Sequence, residues 1–406
     1  MNIKADYDVV IIGGGIHGAG VAQASVAQGY SVLLLEQHEI ASGTSQKSSK
    51  LIHGGLRYLE TAQFSLVREC LSERGYLLKN APHLVEMKPF YLPVYKKTTR
   101  RPLQLRLGLS VYALLAGLGK QSFFHHLKKE SWHQLDGLAT RDLEAVFQYW
   151  DAQTDDKLLT DAVLNSARDM GADVVEQAKL ESAVKASASK SQKNKSKETI
   201  EDVSDEWQIT FQKESTFVQV SSKIIVNAGG PWVNDILKRI IPEDAGMAVD
   251  LVQGTHIVLP EETLQGIYYV ESPRDKRAIF VMPWYGQTLV GTTEKLYTGD
   301  PAKVVPTIEE QAYLQEAAAS YFPKFKETSI QGSFAGLRVL PRQQGTAFSR
   351  PRETTIRADK THTCLSVYGG KLTAYRATSE NVIKKIMRQL PAKKVIADTR
   401  HLKLPG

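Results

Sequence analysis

YDVVIIGGGIHGAGVAQASVAQGYSVLLLE, residues 7–36, reads as strand, helix and strand in one compact unit. Residues 7–12 are a buried strand, 15–28 an Ala- and Val-rich helix, and 31–36 a second buried strand. Two apolar strands joined by a helix are what a parallel sheet needs. Gly13-x-Gly15-x-x-Gly18 falls between the first strand and the helix. Gly13 permits the tight turn, Gly15 lets the backbone approach a pyrophosphate, and Gly18 lets helix and strand pack closely. The helix start, with Ile16 and His17, turns its unpaired N–H groups towards the phosphates. Glu36, followed by Gln37, ends the second strand where a carboxylate accepts from a ribose hydroxyl. The competing reading is a glycine-rich turn with no ligand.

The rest of the chain agrees with a folded, multidomain protein. At roughly 100–200 residues per domain, 406 residues suggest two or three domains. With 42% hydrophobic and 23% charged residues, the composition excludes a disordered or collagen-like chain. Only Cys70 and Cys364 are present, too few for a disulfide framework and not spaced as metal ligands, so a reduced, cytoplasmic compartment is the expectation. The first residues lack the pattern of a signal peptide, and no run of about 20 apolar residues predicts a membrane span.

Further along, residues 62–79 are predicted helical, as are 161–169 and 308–320. Residues 207–212 and 223–230 read as strands, and 249–294 alternate as an antiparallel sheet does. Strand 364–370 leads into a last helix from about 372 to 390. The Lys-, Ser- and Glu-rich stretch 185–206 has almost no apolar residue and is expected to be a disordered loop. The fold class is α/β, a parallel-sheet part joined to an antiparallel one.

Residues 41–58, ASGTSQKSSKLIHGGLRY, offer many short polar donors. Gly229-Gly230 and Gly369-Gly370 close two further strands. Such contact segments scattered along the chain suit the long FAD better than NAD. Here a resemblance becomes specific. Ser48 to Glu60 (SSKLIHGGLRYLE) resembles the signature of FAD-dependent glycerol-3-phosphate dehydrogenases of the aerobic type. So do NAGGPW (227–232), GTHI (254–257), FVMPW (280–284), GTTE (291–294) and GGKLTAYR (369–376), in that family's order across nearly the whole chain.

The resemblance implies oxidation of sn-glycerol 3-phosphate to dihydroxyacetone phosphate, with hydride passing to flavin N5 and electrons to a membrane quinone. It implies a glutathione-reductase-type Rossmann domain for FAD from residues 1–85, 151–232 and 333–406. A substrate cap with an antiparallel sheet would come from 86–150 and 233–332. The implied cofactor contacts are Thr44, Ser45, Ser48, Ser49, Lys50, Leu51, Ala178, Ala228, Gly229, Trp232, Gly336, Gly370, Lys371, Leu372 and Thr373, beside the first turn. The family carries a further C-terminal helical domain, which would begin where this chain reaches His401–Gly406.

A phosphate substrate calls for fixed cations, and arginine gives a planar, bidentate grip. Arg57 and Lys371 match substrate-facing positions, with Tyr58 and Thr373 beside them, and Arg352 matches a phosphate arginine. Arg338 is expected near the reacting hydroxyl. Each of these has an ordinary ion-paired arginine or lysine as its competing reading. A histidine, with an unperturbed pKa of about 6.5, suits removal of the hydroxyl proton. His256 is the first choice and His53 the second, with an Arg338-stabilised alkoxide as a third route.

The formal charge is +7, and no acidic residue occurs between Glu86 and Glu130. Basic residues with the long apolar run 103–119 suggest a helix on the inner face of the cytoplasmic membrane, against an ordinary buried helix as the alternative. The partners expected are the phosphorylated substrate, a quinone, the membrane surface and a second copy of the chain. Nucleic acid is not among them, because the cations lack interleaved stacking aromatics. Two other functions remain open at this point. One is a flavin oxidoreductase or oxidase acting on a 2-hydroxy acid or amine, and the other is a flavin-binding protein without turnover.

Overall fold

The computed structural model describes residues 3–117, 119, 122–186, 206–244, 246–260, 265–342 and 353–406. Among these residues, one sheet has nine strands and a second has ten. Strand Asp6–Ile12 lies inside the first sheet, parallel to Val32–Leu35 on one side and Thr216–Asn227 on the other. Asp173–Val175 and Cys364–Tyr368 extend the parallel part outward. Six consecutive residues from Tyr7 are buried, as a strand covered on both faces requires. Helix α1 (Ile16–Ala27) packs against helices Asp156–Asp169 and Tyr375–Ile386, which explains why it is apolar on all sides.

The second sheet is built from both halves of the chain. Its strands include Leu51–Ile52, Val85–Tyr95, Leu143–Thr154, Val249–Leu259, Ile267–Glu271, Ala278–Trp284, Gln287–Gly291 and Gly332–Pro341. Pairing is antiparallel except between Ile267–Glu271 and Val85–Tyr95. The side chains alternate between two cores. Ile257 and Leu259 face the helix Ile308–Tyr321, while Val258 joins Tyr269, Phe280 and Phe334 on the other face. Helices α2 (Phe64–Asn80) and α3 (Pro102–Leu115) cover that other face. The sequence-expected boundaries at 150 and 332 fall inside or beside strands of this sheet, and Ile240–Ile241 edges the first sheet.

Most predicted elements appear within a few residues of their expected ends. The helix expected at 161–169 starts earlier, at Asp156, because the Asp155 side chain caps it by accepting from the N–H groups of Lys157 and Leu158. The last helix starts later, at Tyr375, since Gly369 and Gly370 at φ +69° and +111° lead into a turn through Lys371–Ala374. Residues 187–205 of the Lys/Ser stretch, and Arg352, lie outside the described residues.

The acid-free run of sequence is not acid-free in space. Arg100 pairs with Glu60 and Glu271, and Arg101 with Glu144, all brought in from other segments. On α3, Leu109, Tyr112 and Ala113 are buried, whereas Leu103, Leu107 and Leu114 are exposed along the opposite side. No helix among the described residues is long and apolar enough to cross a membrane.

Candidate active site

A cavity of about 640 Å³ runs from the carboxyl ends of the first sheet to the inner face of the second. Strand ends in a parallel sheet open such crevices wherever chain direction changes. At one end lie Ile12, Gly13, Gly15, Ile16 and His17. Gly13 sits at φ +109°, and a Cβ there would lie 2.6 Å from the carbonyl oxygen of Ala228. Glu36 lines the same end, with its carboxylate accepting from the N–H groups of Gly14 (2.6 Å) and His38 (2.8 Å). Gln37 is beside it, and Ala178 donates its N–H to the Glu36 carbonyl at 2.8 Å.

Residues 41–49 form the next wall. Ser45 Oγ accepts from Ile16 N at 2.8 Å, occupying one of the free donors at the start of α1. Thr44 Oγ1 donates to Leu337 O at 2.8 Å and so ties this wall to strand Gly332–Pro341, where Gly336 also faces the cavity. Ser48, Ser49 and Leu51 line it as well. Ala228, Gly229 and Trp232 form the opposite side, with Trp232 close over Gly43.

Gly18 and Lys50 are placed otherwise. Gly18 faces the backbone of Gly13, where a Cβ would collide with the Gly13 carbonyl, so its service is packing. Lys50 turns away from the cavity into a buried ion pair with Asp156 at 2.5 Å. It also lies over the rings of Trp284 and Phe334.

The far end gathers cations around aromatic rings. Arg57, Lys371 and Arg338 all line it. Lys371 Nζ and the Arg57 guanidinium stack on the ring of Tyr58, and Lys371 Nζ is also 3.8 Å from Cys70 Sγ. Arg338 bonds to Glu294 at 3.2 Å and Thr292 at 3.3 Å. His53 donates its backbone N–H to Thr373 Oγ1 at 3.2 Å, which joins the Gly54-Gly55 turn to the segment after Gly370. Leu372 completes that segment's contact with the cavity.

His256 is 1% exposed and stacked on Phe334, with centroids 4.9 Å apart. Its Nε2 pairs with Ser49 Oγ at 3.1 Å, while its buried Nδ1 has no hydrogen-bond partner among the described residues. Burial, then the charges of Arg338 and Lys50, hold its pKa well below 6.5, so the ring is neutral. With a proton on Nε2 shared with Ser49, Nδ1 presents a lone pair. His17 is a second neutral ring, brought down to about 4 by burial, and its Nδ1 is likewise buried without a partner.

Sequence reasoning missed Tyr149, Tyr269, Arg277, Phe280 and Glu294, which line the same cavity. Arg277 reaches the Glu294 carbonyl at 2.9 Å. Phe280 and Tyr269 fall on the cavity face by strand alternation, a signal present in the sequence. Glu294 closes the GTTE motif, whereas nothing local marks Arg277.

These residues fit FAD. The walls come from segments distant in the sequence. The approach to Gly15 is open, since a Cβ there would meet only Ser45 Oγ. Two buried ring nitrogens also await partners.

Comparisons agree with this. The FAD dependent oxidoreductase family (DAO) matches residues 8–376. A glycerol-3-phosphate dehydrogenase of Pseudomonas aeruginosa is 34% identical over 389 residues, 94% of this chain and 71% of that protein. An aerobic glycerol-3-phosphate dehydrogenase of Staphylococcus haemolyticus is 32% identical, over 95% of this chain and 68% of that one. The solved glycerol-3-phosphate dehydrogenase from Bacillus halodurans, complexed with FAD, superposes with a TM-score of 0.75 at 25% identity. That match covers 99% of this chain and 68% of the solved one. FAD is thus the cofactor, and the chain belongs to the FAD-dependent oxidoreductases, in the family of the aerobic-type glycerol-3-phosphate dehydrogenases.

Proposed function

We propose that this protein oxidises sn-glycerol 3-phosphate to dihydroxyacetone phosphate and passes the electrons to a membrane quinone. One observation carries the reading. Arg57, Lys371 and Arg338 share a cavity with His256 and with the cofactor turn at Gly13–Gly15. A phosphate of roughly −1.5 to −2 charge needs such a group of cations, whereas a neutral amine does not. The names of the relatives support the same substrate.

In this reading Arg57 and Lys371 hold the phosphate. His256 takes the hydroxyl proton at Nδ1, which its neutral state allows. Arg338 places positive charge beside the oxygen as it becomes a carbonyl. The flavin, when bound, supplies at N5 the acceptor for the hydride that leaves the same carbon. Phe280 and Tyr269 keep that end of the cavity apolar and limit water. His53 is the second candidate for the base, and Arg352 for the phosphate.

The outward leucines of α3, with Arg106 exposed nearby, support docking on the inner membrane surface, where the quinone is reached. The pairing of Arg100 and Arg101 makes apolar insertion, rather than charge, the main contribution.

An anaerobic titration of the flavin-loaded protein tests the chemistry. Glycerol 3-phosphate should bleach the visible flavin band, and glycerol or lactate should not. A soluble quinone analogue added with anionic vesicles should then restore the band, less readily after Leu107→Ser. Flavin that stays oxidised under glycerol 3-phosphate would sink the substrate assignment.

A further inference from the structure

Behind the substrate end of the cavity lies a buried polar cluster that the reaction above does not use. Asp151, on strand Leu143–Thr154, is 1% exposed. It accepts from Arg74 Nη1 of α2 at 2.6 Å and from the Tyr112 hydroxyl of α3 at 2.5 Å. The same hydroxyl accepts the backbone N–H of Gly54 at 2.9 Å. Arg74 also donates to the carbonyl of Trp150 at 3.2 Å. Gly54 is pressed so close that a Cβ would lie 2.5 Å from the Tyr112 oxygen and 2.7 Å from Leu71 Cδ2.

We propose that Tyr112, fixed by Asp151 and Arg74, is a positioning residue that sets the turn carrying His53 and Arg57. Two successive backbone N–H groups of that turn end on side-chain hydroxyls from opposite directions. His53 N–H goes to Thr373 Oγ1, beside the cofactor end, and Gly54 N–H goes to Tyr112 on α3. The next residue, Gly55, is at φ +77°, and Tyr58 packs directly against it. Small shifts at Gly54 therefore pass to Arg57 and Tyr58 with little slack. The phenol alone would rotate to other acceptors. Asp151 removes that freedom, and Arg74 is held against it at 2.6 Å, opposing the rise in its pKa that burial causes. Glycine is required at 54 because the clamp needs backbone, not side chain, against the hydroxyl.

The role in substrate handling rests on the function proposed above, but the clamp itself does not. Tyr112→Phe keeps the ring, including its edge-on contact with Tyr149, and removes only the hydroxyl. Flavin content and melting temperature should stay near wild type. The KM for sn-glycerol 3-phosphate should rise about tenfold while kcat falls less than about threefold, since His256 stands on another strand. Amide hydrogen exchange over residues 53–58 should speed up at least about tenfold in the flavin-loaded variant. In wild type those amides should exchange as slowly as strand Leu143–Thr154, which reads the clamp even without a variant.

Wild-type exchange rates in Tyr112→Phe, or fast exchange of the turn in wild type, overturn the clamp. Faster exchange with an unchanged KM overturns the positioning role. A wild-type protein whose flavin ignores glycerol 3-phosphate, while Tyr112→Phe still loosens the turn, refutes the substrate and leaves the clamp standing.

Discussion

Lys371 Nζ lies 3.8 Å from the centroid of the Tyr58 ring and 3.8 Å from Cys70 Sγ, and no carboxylate among the described residues pairs with it. An aromatic face holds an ammonium without neutralising it, so the charge remains available to an anion. Lys371→Met should raise the KM for glycerol 3-phosphate roughly 10- to 100-fold, as expected for a lost charge-assisted hydrogen bond. Lys371→Arg should recover only part, because a guanidinium is planar and longer. Steady-state kinetics on flavin-loaded protein decide this. An unchanged KM in Lys371→Met would remove it from the phosphate site.

Gly15 and Gly18 of the first turn should separate in their effects. A Cβ on Gly18 collides with the Gly13 carbonyl, whereas one on Gly15 meets only the Ser45 hydroxyl, at 3.0 Å. Gly18→Ala should therefore lower the melting temperature of the flavin-free protein. Gly15→Val should leave that temperature nearly unchanged and abolish flavin binding. Flavin absorbance and calorimetry on both variants test the pair, and a fully loaded Gly15→Val protein would contradict the cofactor placement.

Acid should destabilise the flavin-free protein through its neutral histidines. His17 is lowered to about 4 by burial, and His256 lies well below 6.5 through burial and the charges of Arg338 and Lys50. The unfolded chain binds these protons from about pH 6.5 downward, and the folded chain does not. Stability from both groups is thus complete above about pH 6.5 and is lost as pH falls below it, for His17 down to about 4. Thermal melts at about pH 7.5 and about pH 5 should show a larger drop for wild type than for His17→Asn. Equal drops would mean His17 does not resist protonation.

The cofactor half of the site was legible because its determinants are local. Strand, glycine turn, helix and Glu36 lie within 30 consecutive residues, and their order fixes their geometry. Helices Phe64–Asn80 and Ile308–Tyr321 followed from spacing alone, since one face of each meets a sheet. The start of the last helix did not, because two left-handed glycines delay it. The substrate half depends on meetings that composition does not announce. Arg100 and Glu271 are 171 positions apart, and Gly54 and Tyr112 are 58 apart. The charge of residues 86–130 is partly offset for that reason, since Arg100 and Arg101 find partners from beyond the window. Lys50 sits inside a cofactor-like motif, yet Asp156 claims its side chain.

The walls of the cavity come from residues 12–58, 228–239, 254–304 and 336–373, so its two ends are joined by most of the chain. Direct ties across it, such as Thr44 to Leu337 and His53 to Thr373, are single hydrogen bonds. A ligand filling this space acts as a further rivet between segments that the two sheets already hold. By mass action, free flavin at 100 times its dissociation constant would add about 2.7 kcal/mol to the folded state. The amount of intact protein in a cell would then follow the supply of flavin as well as the rate of synthesis, and riboflavin scarcity would be felt first as loss of the polypeptide.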